Sequence, residues 1–249
     1  MNTTLLNHLQ EIKYRFYYLL FSIIIVIVTL YHFNIELTYF SVKPLMENTK
    51  QIEYLIYTNI TEAFFTSLIL IIFCSINLNI FLLVYHVYFF LVPSLYKNEK
   101  IILNNFCKLI IINIIVTTSL CYIFFIPMVW NFFLSFEDEI NSELFNITFQ
   151  GKTNEYISFM IQMIYSCLIC SHLPIIFLFF LEYKILTSKI LINSRNISLI
   201  VCFVLGALFS PPDIISQLIL AIPLYGFYEL IIIYDLYLSN KNKICCSNN

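Results

Sequence analysis

The sequence predicts an all-α membrane protein of six transmembrane helices, with both ends of the chain on one side and the last two spans short. Three observations lead there. The 249 residues are 60% hydrophobic and only 11% charged, against about 25% charged in an ordinary soluble domain. Apolar runs long enough to cross about 30 Å of hydrocarbon recur along the chain. The basic residues, finally, fall unequally on alternate connecting segments. The same composition excludes other classes. A net charge of −2 without a long basic tract gives no footprint for nucleic acid, and three glycines cannot build a phosphate-cradling loop.

In chain order, a polar opening leads into a first span from Phe16 to Phe33. Residues 34 to 61 place Val42, Leu45 and Met46 in an apolar pattern around Pro44, which predicts short interfacial helices. The second span runs from Ala63 to Val92, with Glu62 at its N-terminus, where the helix dipole favours a carboxylate. A loop, 93 to 108, precedes the third span from Leu109 to Met128. Residues 135 to 155 are acidic and loop-like, and the fourth span follows from Tyr156 to Leu181. Two short spans close the chain, Ile197 to Ser210 and Ile214 to Leu238, separated by Pro211 and Pro212. The first has 14 residues, about 21 Å of helix. Glu229 and Asp235 intrude on the second. No internal repeat is evident, and one membrane domain is expected over residues 1 to 249.

Orientation follows from the bases. With the N-terminus inside, the inner segments hold Lys13, Arg15, Lys97, Lys100, Lys108, Lys184, Lys189, Arg195, Lys241 and Lys243, ten in all, against Lys43, Lys50 and Lys152 outside. The N-terminus carries neither a cleavage-like motif nor an Arg-rich, acid-free stretch, so synthesis in the compartment whose membrane receives the protein is expected. Three alanines and two arginines, beside abundant Ile, Asn, Phe, Tyr and Lys, suit an AT-rich genome such as that of an organelle or a reduced bacterium. Cys167 and Cys170 spell C-x-x-C, but inside an apolar run without a second ligand pair, so they read as small apolar filler and no metal or cofactor is implied.

Ionisable groups at membrane depth are costly and are functional candidates by default. Glu62 has a plain reading as a helix-end carboxylate. Glu229, in the last span, reads plainly as a partner for a nearby base, and His172, in the fourth, as a hydrogen bond to a neighbouring helix. On the base-rich inner side, Glu11 and Glu99 stand out, although Lys13 and Arg15, or Lys97 and Lys100, offer ordinary surface pairing.

The surrounding sequence adds weight to both acids. His8-Leu9-Gln10-Glu11-Ile12-Lys13-Tyr14-Arg15 resembles the H-L-x-E-L-R-x-R opening of the TatC family, the multispanning receptor subunits of twin-arginine protein translocases. Glu62-Ala63-Phe64-Phe65 is similar to the family's E-x-F-F, and Phe90-Leu91-Val92-Pro93-Ser94-Leu95-Tyr96-Lys97-Asn98-Glu99-Lys100 to its F-x-x-P-x-L-Y-x-x-E-R. Ser210-Pro211-Pro212-Asp213-Ile214-Ile215-Ser216-Gln217 resembles T-P-P-D-x-x-S-Q, with Pro223 and Tyr228-Glu229 beyond it. The blocks occur in the family's order over nearly the whole chain. Departures are specific: Lys13 and Lys100 stand for arginines and lose the guanidinium fork, Tyr88 stands where tryptophan is frequent, and His172 where relatives carry glutamate or glutamine.

The resemblance implies a receptor for twin-arginine signal peptides that takes part in proton-gradient-driven transport of folded proteins and makes or breaks no bond. It assigns Glu11 and Glu99 to the two arginines of the signal, with Lys13, Arg15, Phe90, Pro93, Leu95 and Tyr96 shaping the surface. Carboxylates suit that task, because they bind guanidinium through bidentate, charge-assisted hydrogen bonds. Pro44, Glu62, His172, Asp213, Gln217 and Glu229 are the intramembrane or partner-contact candidates. Small single-span translocase subunits, further copies of the chain and membrane lipid are the expected partners, and the mitochondrial inner membrane the expected site, with a bacterial or plastid membrane as the alternative. A proton-path or secondary transporter subunit is the rival reading. An ATP synthase subunit of that kind needs an arginine deep in a late span, whereas Arg195 lies at a span boundary and none follows it.

Overall fold

The computed structural model describes residues 2–48, 55–140, 151–183, 185–186, 188–209 and 214–247. Nine α-helices occur among them: α1 (Asn2–His32), α2 (Asn34–Asn48), α3 (Ile60–Leu91), α4 (Lys97–Leu120), α5 (Ile126–Ile140), α6 (Thr153–Glu182), α7 (Ser188–Asn193), α8 (Arg195–Phe209) and α9 (Ile214–Ser247). The Pro211-Pro212-Asp213 turn lies outside the described residues. Among the described residues, five helical segments are long and apolar enough to cross a membrane: Leu6–His32, Ile60–Ser94, Lys97–Leu134, Thr153–Glu182 and Leu220–Tyr237, with Arg195–Leu208 as a shorter apolar helix.

Several helices reach beyond the apolar runs, for local reasons. The polar opening continues α1 toward the N-terminus, and Glu11 and Arg15 stand one turn apart, where opposite charges support a helix. The 93 to 108 segment, expected as a loop, is instead mostly helix, because Glu99 reaches back to accept a hydrogen bond from the Tyr96 N–H at 3.0 Å and closes the first turn of α4. A π-helical turn at Cys121–Phe125 joins α4 to α5. Helix α5 carries structure to Ile140 in the segment expected to be loop-like. Residues 34 to 48 form one helix with Pro44 inside it, rather than several short ones. Helix α9 keeps its backbone pattern into the polar residues after Leu238.

The chain divides into two compact units. The first comprises residues 1–111 and 130–161. Here α1 and α2 pack on α3, and Leu70, Ile71 and Phe73 are buried. Ser22 donates a hydrogen bond to Asn79 Oδ1 at 2.6 Å, a polar seam between two apolar helices. The Tyr156 hydroxyl donates to the Ser41 carbonyl at 3.1 Å, tying α6 to α2. Ile56 pairs with the backbone around Lys152, accepting from the Thr153 N–H at 3.2 Å and donating to the Gly151 carbonyl at 3.1 Å.

The second unit comprises residues 112–129 and 162–249. Its main packing is α8 against α9, with α7 against both. Leu181, Leu191, Tyr228, Ile231 and Ile232 form one buried cluster, and Cys170, Cys202 and Leu224 another. Gly206 lets the helices approach closely, since a Cβ there would stand 3.0 Å from the Gln217 carbonyl oxygen and 3.4 Å from Ala221 Cβ. Small residues at such crossings are how membrane helices gain contact without a hydrophobic driving force. Outside these seams, large apolar side chains face outward, among them Phe21, Val28, Ile72, Ile112 and Ile200. Lipid solvates such a surface and water does not.

Candidate functional site

In the first unit, the candidate residues lie on α1, at the end of α3 on which α1 packs, and at the start of α4 that follows it in the chain. The Arg15 guanidinium donates to Glu11 Oε1 through Nη2 at 2.6 Å and Nε at 3.1 Å. It also reaches the last turns of α3, donating to the His86 carbonyl at 3.4 Å and the Phe89 carbonyl at 3.5 Å. The carbonyls near a helix C-terminus carry partial negative charge, so a cation there is favourable. Arg15 thereby holds Glu11 beside the end of α3. Both of its bonds to Glu11 fall on one carboxylate oxygen, which leaves Oε2 for another donor.

The 3₁₀ turn Val92–Ser94 follows α3 directly and carries Pro93 on its surface. Phe90 and Leu95 are half-buried, whereas Tyr96 is 81% exposed. Glu99 makes its hydrogen bond to the Tyr96 backbone and no ion pair with Lys97 or Lys100 among the described residues. The simple surface pairing that those neighbours offered is therefore not its arrangement. Lys13 is exposed, its ammonium 5.8 Å from the centre of the Tyr17 ring. These residues are exposed or half-buried and present two acids among bases and aromatic rings.

Pro44 and Glu62 lie elsewhere in this unit. Pro44 is buried in α2 beside Leu45. The Glu62 carboxylate accepts from the Thr58 N–H at 2.8 Å, the Thr58 hydroxyl at 2.7 Å and the Asn59 N–H at 3.2 Å. Its geometry is that of a helix-start acceptor.

In the second unit, Gln217 donates from Nε2 to the Phe203 carbonyl at 3.1 Å and so bridges α9 to α8. Glu229 lies 12 residues further along α9, about 18 Å along the axis, so the two are not one site. Its Oε2 accepts from Arg195 at 2.9 Å and its Oε1 from the Tyr225 hydroxyl at 2.9 Å. From the residue before Glu229, the Tyr228 hydroxyl donates to the Leu191 carbonyl at 2.7 Å. His172 Nδ1 lies 2.6 Å from the Leu168 carbonyl of its own helix, not against a neighbouring helix as expected. A histidine four residues after a helix carbonyl finds that partner without any tertiary contact, and here it shares it with the Ser171 hydroxyl at 3.0 Å. Asp213 falls outside the described residues.

Polar pairs inside the spans escaped the sequence reading. Besides Ser22 with Asn79, Asn113 Nδ2 donates to Ser171 Oγ at 2.9 Å between α4 and α6. The signal was present, since an amide within an apolar run must find a partner in lipid.

Helices of spanning length, lipid-facing apolar side chains and ionisable groups held at helix ends or seams define a polytopic membrane protein. The family model of TatC, the Sec-independent protein translocase protein, matches residues 7–223, and the chain belongs to that family. A tatC-like protein, ymf16, of Reclinomonas americana is 34% identical, over 92% of this chain and 86% of its own length. The Sec-independent protein translocase protein TatC of Rickettsia prowazekii is 32% identical, over 91% and 90%. The fold resembles the crystal structure of the twin arginine translocase receptor TatC, with a TM-score of 0.75 at 22% identity, over 93% of this chain and 99% of that one.

Proposed function

We propose that this protein is the core receptor subunit of a twin-arginine translocase, recognising twin-arginine signal peptides and taking part in proton-gradient-driven transport of folded cargo. It works as a single membrane domain of six spans with both ends inside, and makes or breaks no bond. The observation that carries the reading is the Arg15 bridge, which sets Glu11 at the end of α3, from which the chain turns directly into the α4 start that bears Glu99. Two carboxylates, one with an unengaged oxygen and one accepting only a backbone N–H, can each take a guanidinium. The surrounding Lys13, Lys97 and Lys100 disfavour random basic peptides, and Phe90, Pro93, Leu95 and Tyr96 supply apolar contact. The single-span subunits of the translocase are its partners, with Pro44, Glu62, His172, Asp213, Gln217 and Glu229 as contact or assembly positions. The mitochondrial inner membrane is its site, in keeping with the Ile- and Asn-rich, Ala- and Arg-poor composition.

The test is photo-crosslinking from probes at positions 11 and 99 to a twin-arginine signal peptide in native membranes. Capture that is lost when the two signal arginines become lysines is expected. Equal capture of both peptides would return the patch to ordinary surface chemistry.

A further inference from the structure

In the first unit, a cavity of about 390 Å³ opens beside the end of one span and the start of the next. Four rings, Trp130, Phe133, Tyr156 and Phe159, form its wall, and Lys152 and Glu155 stand at its polar part. The wall is fixed in place. Trp130 and Tyr156 meet edge to face with centroids 5.3 Å apart, and Phe133 meets Phe159 in the same way at 6.2 Å. The Tyr156 hydroxyl is held by the Ser41 carbonyl. The polar part is loose by comparison: Lys152 Nζ and Glu155 Oε1 are 3.2 Å apart, with side chains 47% and 72% exposed. Such a pair opens readily when either charge finds a better partner.

Position decides what can occupy the cavity. The span Lys97–Leu134 ends, and the span Thr153–Glu182 begins, at its rim. The rings thus sit at headgroup level, where aromatic residues of membrane proteins concentrate. Aromatic faces beside a carboxylate attract an organic cation, and a lysine next to the first turn of a long helix attracts a phosphate. We propose that this pocket binds the headgroup of a zwitterionic phospholipid, the ammonium against the rings and Glu155, the phosphate on Lys152. Phosphatidylglycerol, an anionic phospholipid without an ammonium, offers nothing to the rings and meets Glu155 as a like charge. A soluble phosphodiester lacks the acyl chains that continue along the apolar rim.

Trp130 is the only tryptophan of the chain, so its fluorescence reports on this wall alone. The full chain in detergent micelles is titrated with phosphatidylcholine bearing a nitroxide on the choline. Saturable quenching is expected, relieved by unlabelled phosphatidylcholine or phosphatidylethanolamine and at least fivefold less effectively by phosphatidylglycerol. Glu155→Gln and Lys152→Gln, both at exposed positions that leave folding intact, are each expected to raise the half-quenching concentration at least threefold. Equal competition by phosphatidylglycerol, or unchanged quenching in both variants, would reduce the pocket to ordinary boundary lipid and overturn the proposal. Competition by free glycerophosphocholine at the same concentration as the lipid would assign the site to a soluble ligand and overturn it equally.

Discussion

Glu11 and Glu99 have different surroundings, and their substitutions are expected to differ accordingly. Glu11 is bound to Arg15, so Glu11→Ala also releases a guanidinium that remains attached only to α3 carbonyls. A charged hydrogen bond contributes about 1.5–3 kcal/mol, and with Glu11 44% exposed the lower end applies, roughly a tenfold loss of signal-peptide affinity. Glu99→Ala removes the acceptor of the Tyr96 N–H as well, so it is expected to weaken signal binding and to fray the first turn of α4. Glu99→Gln keeps an acceptor for that N–H and separates the two effects: it should restore the helix start, seen by amide exchange at Tyr96, but not the binding. In the second unit, Arg195 and Glu229 make a pair whose side chains are 45% and 27% exposed. A double-mutant cycle of Arg195→Ala and Glu229→Ala is expected to give a coupling of about 1 kcal/mol in thermal unfolding in detergent. Independent effects would show that the two charges only happen to lie together.

At the scale of the element, the α8–α9 seam provides a paired comparison. Gly206 has the Gln217 carbonyl at the position a Cβ would crowd, while at Gly226 nothing lies within 4 Å. Gly206→Leu is therefore expected to separate the helices and to cost about 1–3 kcal/mol, as overpacking does. Gly226→Ala is expected to leave stability unchanged or raise it by up to about 1 kcal/mol, since glycine is a poor helix former. Measured unfolding midpoints of the two variants check the contrast. How far the elements were legible follows the same logic. The apolar runs fall in helices wherever the structure describes them, because hydrocarbon leaves the backbone no alternative to helix. They located the ends poorly: the Glu11–Arg15 pair, the Glu99 cap and the continuation of α9 extend helices into polar sequence, where hydropathy is silent. The π-helical turn at Cys121–Phe125 and the bridge at Ile56 depend on tertiary fit and leave no mark in spacing. Glu11 and Glu99 stood out in the sequence by motif, whereas the bond from Arg15 to α3 did not, because it joins residues 71 positions apart.

For the molecule as a whole, span length bears on how folded cargo crosses. Helix α8 has 15 residues, about 22 Å against about 30 Å of hydrocarbon, and a short span is met by local thinning of the bilayer. Inserting four leucines into α8 and four into the apolar part of α9 is expected to impair transport while sparing insertion and signal binding; transport at the parent rate would remove thinning from the mechanism. The polar seam of the first unit has a further consequence, in time rather than in space. Ser22 must wait 57 residues for Asn79, and Arg15 must wait 71 for the carbonyl of His86. During synthesis, α1 therefore enters the bilayer with only the partners of its own helix, the Leu19 carbonyl for the Ser22 hydroxyl and Glu11 for Arg15, and gains its contacts to α3 once that helix has emerged. Nascent chains arrested after α2 are expected to be cleared by membrane proteases faster than chains arrested after α4, and Asn79→Leu is expected to erase much of the protection that the longer chain enjoys.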